Sequence, residues 1–543
     1  MTAQLPRVAY FCMEYGLDNS FKQWAGGLGI LAGDTMKGVK DNNLPMVGIG
    51  LKWKQGYTDQ RIGPDGMPYD SYYNYVYPFL KETGVTVKVR IRENDVYAKV
   101  WLCDSFGSGT LLLLDTDIPE NGDRWITGQL YGWFGEERIA QEIVLGVGGV
   151  RALRALGIEV DIYHFNEGHA ALAGIELIRE KMERGASFHQ AWEQTRPQIV
   201  FTTHTPIPEG NETHPLERLM YMGANQGLCL QQMIEIGGSP FNMTVAGLRL
   251  SKFSNGVAQL HGVTAREMWK NVRGRSQITA ITNGIHRGTW VDERMSGPFA
   301  SNEALWQAHM AVKHDTIRFI EQKTGVRLDS EKLLIGFSRR AAPYKRSNLI
   351  FRYEEQVREL LQAGLIQIVF SGKAHPLDDT GKRIVHNLVE MAKQYPNSVV
   401  FIENYDMEIG AHLTRGCDVW LNNPRRPLEA CGTSGMKAAM NGVLNASILD
   451  GWWPEACQHG VNGWAIGDEW VPATVAEQDE RDAVALYRVL LEEIVPTFYQ
   501  NREKWVSMMR ASIESTSGAF SIDRMLREYY EKLYLAEPEI IDA

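Results

Sequence analysis

The feature that most constrains the fold is an alternation. Short, almost unbroken apolar runs each end in polar residues, and most are followed by a stretch of helical period. RVAYFCMEYG (7–16), VDIYHFNEGH (160–169) and PQIVFTTHTP (197–206) form one series. LLIGFSRR (333–340), IQIVFSGKAHP (366–376), SVVFIENYD (398–406), CDVWLNNP (417–424) and VLNASILDG (443–451) form a second. Runs this continuous leave no face for solvent, so they predict parallel sheets covered by helices on both sides. VTVKVRIREN (85–94) and DVYAKVWLCD (95–104) alternate instead and predict an antiparallel pair. The expectation is an α/β chain with two doubly wound, Rossmann-like domains, 1–300 and 301–500. Their boundary falls between Trp290 and Lys332, and helices over 501–543 pack back across the junction. Ligands of such sheets bind beyond the carboxyl ends of the strands. HFNEGH, TTHTP, GFSRRAAPYKR and SGKAHP would all face that way.

Charge and cysteine usage narrow the partners. Acids exceed bases by 66 to 56, which argues against nucleic acid as a main partner but leaves room for a local basic pocket. None of the six cysteines forms CxxC, so neither a zinc site nor a disulfide framework is expected. No metal set is assigned. Free thiols, a start (MTAQLPRVAYFC) without signal-peptide build, and no apolar run near ~18 residues predict a cytoplasmic protein without a membrane partner.

Four motifs could carry chemistry. AGGLG (25–29) opens a helix and reads as a tight turn or as a phosphate or sugar contact. SRRAAPYKR (338–346) places four cations within eight residues at a strand end. It reads as an anion site, with Arg340 offering a two-donor grip and Lys345 a point charge, or as a solvated face. His204 and His169 follow strands and are either structural or near a substrate. In RPLEACGTSGMKAAMNG (426–442), Lys437 ends a stretch of small residues. The lysine reaches solvent from a packed glycine turn, or it is a desolvated amine able to form an imine with an aldehyde. Gly432, Thr433 and Ser434 could then hold the phosphate of pyridoxal 5′-phosphate (PLP).

Taken in order, MEYGL, AGGLGILAGD, NEGHAAL, TTHTPIPEG, SNGVAQLH, TNGIH, YKR, SGKAHP, ENYD, NNPRRPLEACGTSGMKAAMNG and LDGWW resemble blocks of the α-glucan (glycogen/maltodextrin) phosphorylases. The likeness runs from about Val8 to about Asp468 and is closest to the short bacterial branch. It implies a GT-B fold whose two domains face a central cleft, and PLP bound as an imine to Lys437. It implies transfer of a terminal glucosyl unit of an α-1,4-glucan or maltooligosaccharide to inorganic phosphate. The product would be α-glucose 1-phosphate with retained configuration, and the cofactor phosphate would relay a proton. By the resemblance, Arg340 and Lys345 hold the substrate phosphate with the amides of Gly26 and Gly27. Tyr344, Asn283, Glu429, Val257 and His204 surround the glucose. Gly432, Thr433 and Ser434 hold the cofactor phosphate, with Arg339 nearby. A homo-oligomer is compatible with the resemblance.

The chain departs from the glycogen enzymes in three ways. It is much shorter and starts near the first family strand. It has Asn404-Tyr405-Asp406 where they read NYR, and GTSGMK where they read GTGNMK. The alternatives are a nucleotide-sugar-dependent glucosyltransferase of glycogen synthase type and an inactive glucan-binding relative. Lys437 separates the phosphorylase reading from the synthase one, since a synthase needs no imine-forming lysine there, and Arg340, Lys345, Glu429 and Lys437 together argue against an inactive relative.

Overall fold

The computed structural model describes residues 4–538. The chain forms two compact units. One comprises the residues up to Tyr57, Tyr72–Thr282, and those from Ile522 onward; the other comprises Thr58–Ser71 and Asn283–Ser521.

The first unit is built on a nine-stranded sheet. From one edge its strands are Gln277–Ala280, Phe253–Gly256, Ile199–Thr202, Ile162–Asn166, Val8–Phe11, Met46–Leu51, Leu111–Asp115, Asn94–Cys103 and Lys81–Ile91. The first seven run parallel; the last two are the antiparallel pair expected from their alternation. Val8–Phe11 lies between Met46–Leu51 and Ile162–Asn166. The order therefore reverses there, and sheets of this kind bind ligands beyond the carboxyl ends of the strands at such a point. The parallel strands Val8–Phe11, Ile162–Asn166 and Ile199–Thr202 are buried along their length, as unbroken apolar runs require. The helix Gly27–Asp41 that follows AGGLG lies so close to the first strand's exit loop that a Cβ on Gly33 would stand 1.9 Å from the Gly16 carbonyl oxygen. The helical stretch expected over 138–156 forms as Glu136–Ile143 and Gly149–Ala155, joined by a π-turn at Val144–Gly148.

The second unit carries a six-stranded parallel sheet. Its order is Val399–Ile402, Ile366–Ser371, Leu333–Ser338, Val419–Asn422, Leu444–Ile448 and Gly463–Ile466. The order reverses between Leu333–Ser338 and Val419–Asn422, so the loops leaving these two strands are thrown together. Beneath the sheet, Asp418 is fully buried. It accepts from Lys313 Nζ (2.6 Å), His309 Nε2 (2.8 Å) and the Leu334 amide (2.8 Å). A charge at this depth persists because all its partners converge on it.

The unit limits differ from the expected boundaries. Residues 283–300 belong with the second unit, where the Ile285 amide donates to Phe520 O and Arg415 holds the Thr289 and Trp290 carbonyls. Helix Arg502–Thr516 also stays there, with Ser512 Oγ donating to Ala439 O. Within the first unit, Ile522 and Leu526 of the last helix pack on Gly38. Hairpin Asp59–Ile62/Pro68–Ser71 joins the second unit. The Gln60 amide exchanges hydrogen bonds with the Ala374 backbone, and Lys373 Nζ donates to Thr58 O (2.8 Å). SGKAHP is therefore engaged in holding this hairpin. No helix of the described residues is long and apolar enough to cross a membrane.

Candidate active site

In the second unit the strand-order reversal assembles a charged cluster. Strand Leu333–Ser338 exits into Arg339, and strand Val419–Asn422 exits into the loop that carries Glu429. Arg339 donates through Nη2 to Glu429 Oε2 (2.6 Å) and through Nη1 to Asn422 Oδ1. Lys345 Nζ stands 3.6 Å from the same Glu429 oxygen. All three charged side chains are largely buried, so one carboxylate faces two cations away from bulk water. Burial alone would raise the Glu429 pKa, but Arg339 and Lys345 outweigh it and hold the group below the usual carboxylate range. Burial, with Arg339 adding to it, brings Lys345 down to about 7, against the opposing pull of Glu429. The Glu429 amide donates to Asp450 Oδ2 (2.9 Å), which fixes the loop from strand Leu444–Ile448. Burial and the neighbouring Glu429 charge push Asp450 up to about 8, against the two amides it accepts.

The other cations of SRRAAPYKR divide. Arg346 is buried against the Asn423 and Pro424 carbonyls and pairs with Asp479 and Asp482, a structural role. Arg340 is exposed, and its charge opposes the rise that burial gives the Tyr344 pKa.

From Glu429 the chain turns back over Arg339. Gly432 has φ +81°, the left-handed region that glycine enters without steric cost, and a Cβ there would lie 3.6 Å from Arg339 Nη1. Thr433 precedes the short helix Ser434–Met440, and Ser434 Oγ accepts from Trp420 Nε1 (3.2 Å). Lys437 is buried, with Nζ 3.7 Å from the ring centroid of Trp290, itself fully buried. The amine thus rests on an indole face, and the reading in which it simply reaches solvent is excluded. Asn283 is also buried.

In the first unit the reversal at Val8–Phe11 places Glu14 inside the glycine turn. Its Oε2 accepts from the amides of Ala25 (2.6 Å) and Gly26 (3.1 Å), and its Oε1 from Tyr131 Oη (2.8 Å). The Gly26 amide expected to serve a phosphate is therefore committed to Glu14. Positions 26 and 27 have open space where a Cβ would stand. His204 Nε2 lies 2.6 Å from Asn166 Oδ1, and its amide donates to Glu167 Oε2 (2.9 Å). Burial brings its imidazole down to about 3, so it is neutral with its proton on Nε2. The His169 ring accepts the Met13 amide (3.0 Å), a structural task. The buried Val257 donates its amide to His261 Nδ1 (3.1 Å).

Sequence reasoning assigned no role to Glu14, Trp290, Asn422 or Asp450. Glu14, Asn422 and Asp450 lie inside motifs quoted above; nothing in the local pattern marks Trp290, because its role is purely tertiary. Among the described residues, Glu142, Glu212 and His214 form one group with metal-ligand chemistry. Arg138 Nε lies 3.2 Å from Glu142 and 3.1 Å from Glu212, so a guanidinium already supplies the positive charge.

The family profile described as Carbohydrate phosphorylase matches residues 294–459, the span that holds Arg339, Lys345, Glu429 and Lys437. The chain is 38% identical to a maltodextrin phosphorylase of Thermococcus litoralis, covering 97% of this chain and 70% of that protein. It is 35% identical to a glycogen phosphorylase of Aquifex aeolicus, covering 97% and 86%. An uncharacterized protein of Methanocaldococcus jannaschii matches at 34%, covering 97% and 99%. A profile match over the charged cluster, with such identity along most of each chain, establishes that this protein belongs to the carbohydrate phosphorylase family.

Proposed function

We propose that the protein is a PLP-dependent α-1,4-glucan phosphorylase. It would transfer terminal glucosyl units of a glucan or maltooligosaccharide to inorganic phosphate, giving α-glucose 1-phosphate with retention. The observation that carries the reading is a buried lysine amine, Lys437, at the end of a glycine turn that folds over a guanidinium. The donor set fits PLP: an amine for its aldehyde, the Gly432–Ser434 turn with two hydroxyls for its phosphate, and Arg339 beside that turn for its charge. When bound, PLP would supply a phosphate group able to exchange a proton beside the substrate phosphate.

The protein's own residues have the following tasks. Arg340 and Lys345 take the substrate phosphate. A dianion next to Lys345 favours its charged form, so an amine that sits near 7 gains a proton as phosphate arrives. Glu429, kept ionised by Arg339 and Lys345, accepts hydrogen bonds from glucose hydroxyls, with Tyr344 and Asn283 completing the wall. As the glycosidic bond breaks, the substrate phosphate gives its proton to the departing glucan oxygen, positive charge grows on the sugar carbon, and a phosphate oxygen stabilises that carbon before bonding to it. In the first unit, the neutral His204 is a sugar contact held by Asn166, Gly27 offers an amide to an oxyanion, and Val257 gives an apolar surface.

The test is an assay of glucose 1-phosphate formation from maltoheptaose and inorganic phosphate, beside glucosyl transfer from a nucleotide sugar. Phosphate-dependent product is expected. Transfer from the nucleotide sugar alone would replace this reading with the synthase-type one.

A further inference from the structure

A second cavity lies at the opposite end of the first unit's sheet. Three neighbouring strands, Ile199–Thr202, Phe253–Gly256 and Gln277–Ala280, are each entered from a loop or helix end that carries an arginine: Arg196, Arg249 and Arg273. His204 and Glu167 follow the carboxyl ends of such strands; these arginines precede the amino ends. The three line a cavity of about 500 Å³ together with Trp192, Ile234, Glu193, Glu235, His189 and Gly274.

None of the three arginines has a carboxylate within 4 Å among the described residues. Arg249 is partly buried and donates through Nε to Arg273 O (2.9 Å) and through Nη1 to Glu235 O (3.2 Å). Arg196, also partly buried, donates through Nη2 to Gly274 O (3.2 Å). These bonds orient the guanidinium groups and leave most of their five N–H donors without a protein acceptor. Burial lowers the pKa of both, and no carboxylate offsets it. Of the two acids lining the cavity, Glu235 is engaged by His189 (2.8 Å) and Glu193 stands exposed. Cations half removed from water without a counter-charge are costly unless an anion joins them. Trp192, whose Nε1 is tied to Arg249 O, and Ile234 add an apolar wall suited to a ring.

We propose that this cavity binds a phosphate monoester, its phosphate among Arg196, Arg249 and Arg273 and its ring along Trp192 and Ile234. Sugar phosphates and nucleoside monophosphates share that chemistry. The site is separate from the candidate active site and does not rest on the function proposed above.

Calorimetric titration of the whole protein with ribose 5-phosphate, uridine monophosphate and inorganic phosphate tests it. Lys345→Ala is used as the background, so that phosphate binding at the candidate active site is suppressed. One monoester class should still bind, and more tightly than inorganic phosphate. The double variant Arg196→Gln/Arg249→Gln should weaken it at least tenfold. Arg273→Gln, on the exposed rim where the fold is not at stake, should weaken it severalfold. The arm that binds tighter identifies sugar phosphate or nucleotide as the class. The proposal is overturned if no monoester binds in the Lys345→Ala background, if Arg273→Gln leaves the affinity unchanged, or if maltoheptaose competes for the same site.

Discussion

At the scale of single residues, the account turns on two cations sharing one carboxylate. Lys345 sits near 7, far below a free lysine, so much of it is neutral above that pH. Phosphate binding at pH 8 should therefore draw a proton from the buffer. Titrations in buffers of different ionisation enthalpy should report net uptake, and Lys345→Met should abolish the lysine's share of it. Lys345→Ala should lower kcat/KM for phosphate at least about 10²-fold, ~2.7 kcal/mol of transition-state stabilisation. Glu429→Gln removes the carboxylate that compensates Arg339 and Lys345. Leaving buried cations unpaired costs about 3–5 kcal/mol. Sulfate should restore more of the melting temperature in that variant than in the wild type, because it replaces the lost charge. The residue types of this site were legible in the sequence, because Arg339, Lys345, Glu429 and Lys437 stand in compact motifs. Their pairing was not. That Arg346 is a structural anchor while Arg339 meets Glu429 depends on which strands are neighbours, and a local pattern carries no such information. The Gly26 amide shows the same limit: its partner, Glu14, lies twelve residues away and reaches it only through the fold.

At the scale of elements, the apolar runs and their polar ends predicted the parallel strands well, because a strand buried on both faces has no other way to be written. The antiparallel pair at the sheet edge was equally legible from its alternation. Unit limits were harder to read. Residues 283–300 and the hairpin at 58–71 are assigned by contacts formed after folding, such as Gln60 with Ala374, and their composition does not distinguish them. Glycines that look like flexible punctuation can be close-approach sites instead. Gly33→Ala would drive a methyl group into the Gly16 carbonyl, and overpacking against backbone should cost about 1–3 kcal/mol or more, read as a lower melting temperature. The buried Asp418 is a similar point of dependence. Asp418→Ala strands Lys313 and should destabilise the protein by about 3–5 kcal/mol in denaturant titration.

For the whole molecule, the central claim is chemical: an amine held on an indole face beside a glycine turn carries PLP. Family membership rests on identity along most of the chain, and the charged cluster lies inside the matched span. The cofactor claim is separate and can be tested on the intact protein. Protein purified in the presence of PLP would be reduced with borohydride, digested and analysed by mass spectrometry. The account predicts a phosphopyridoxyl group on Lys437 in stoichiometric yield. An unmodified Lys437 in protein that still forms glucose 1-phosphate would contradict it.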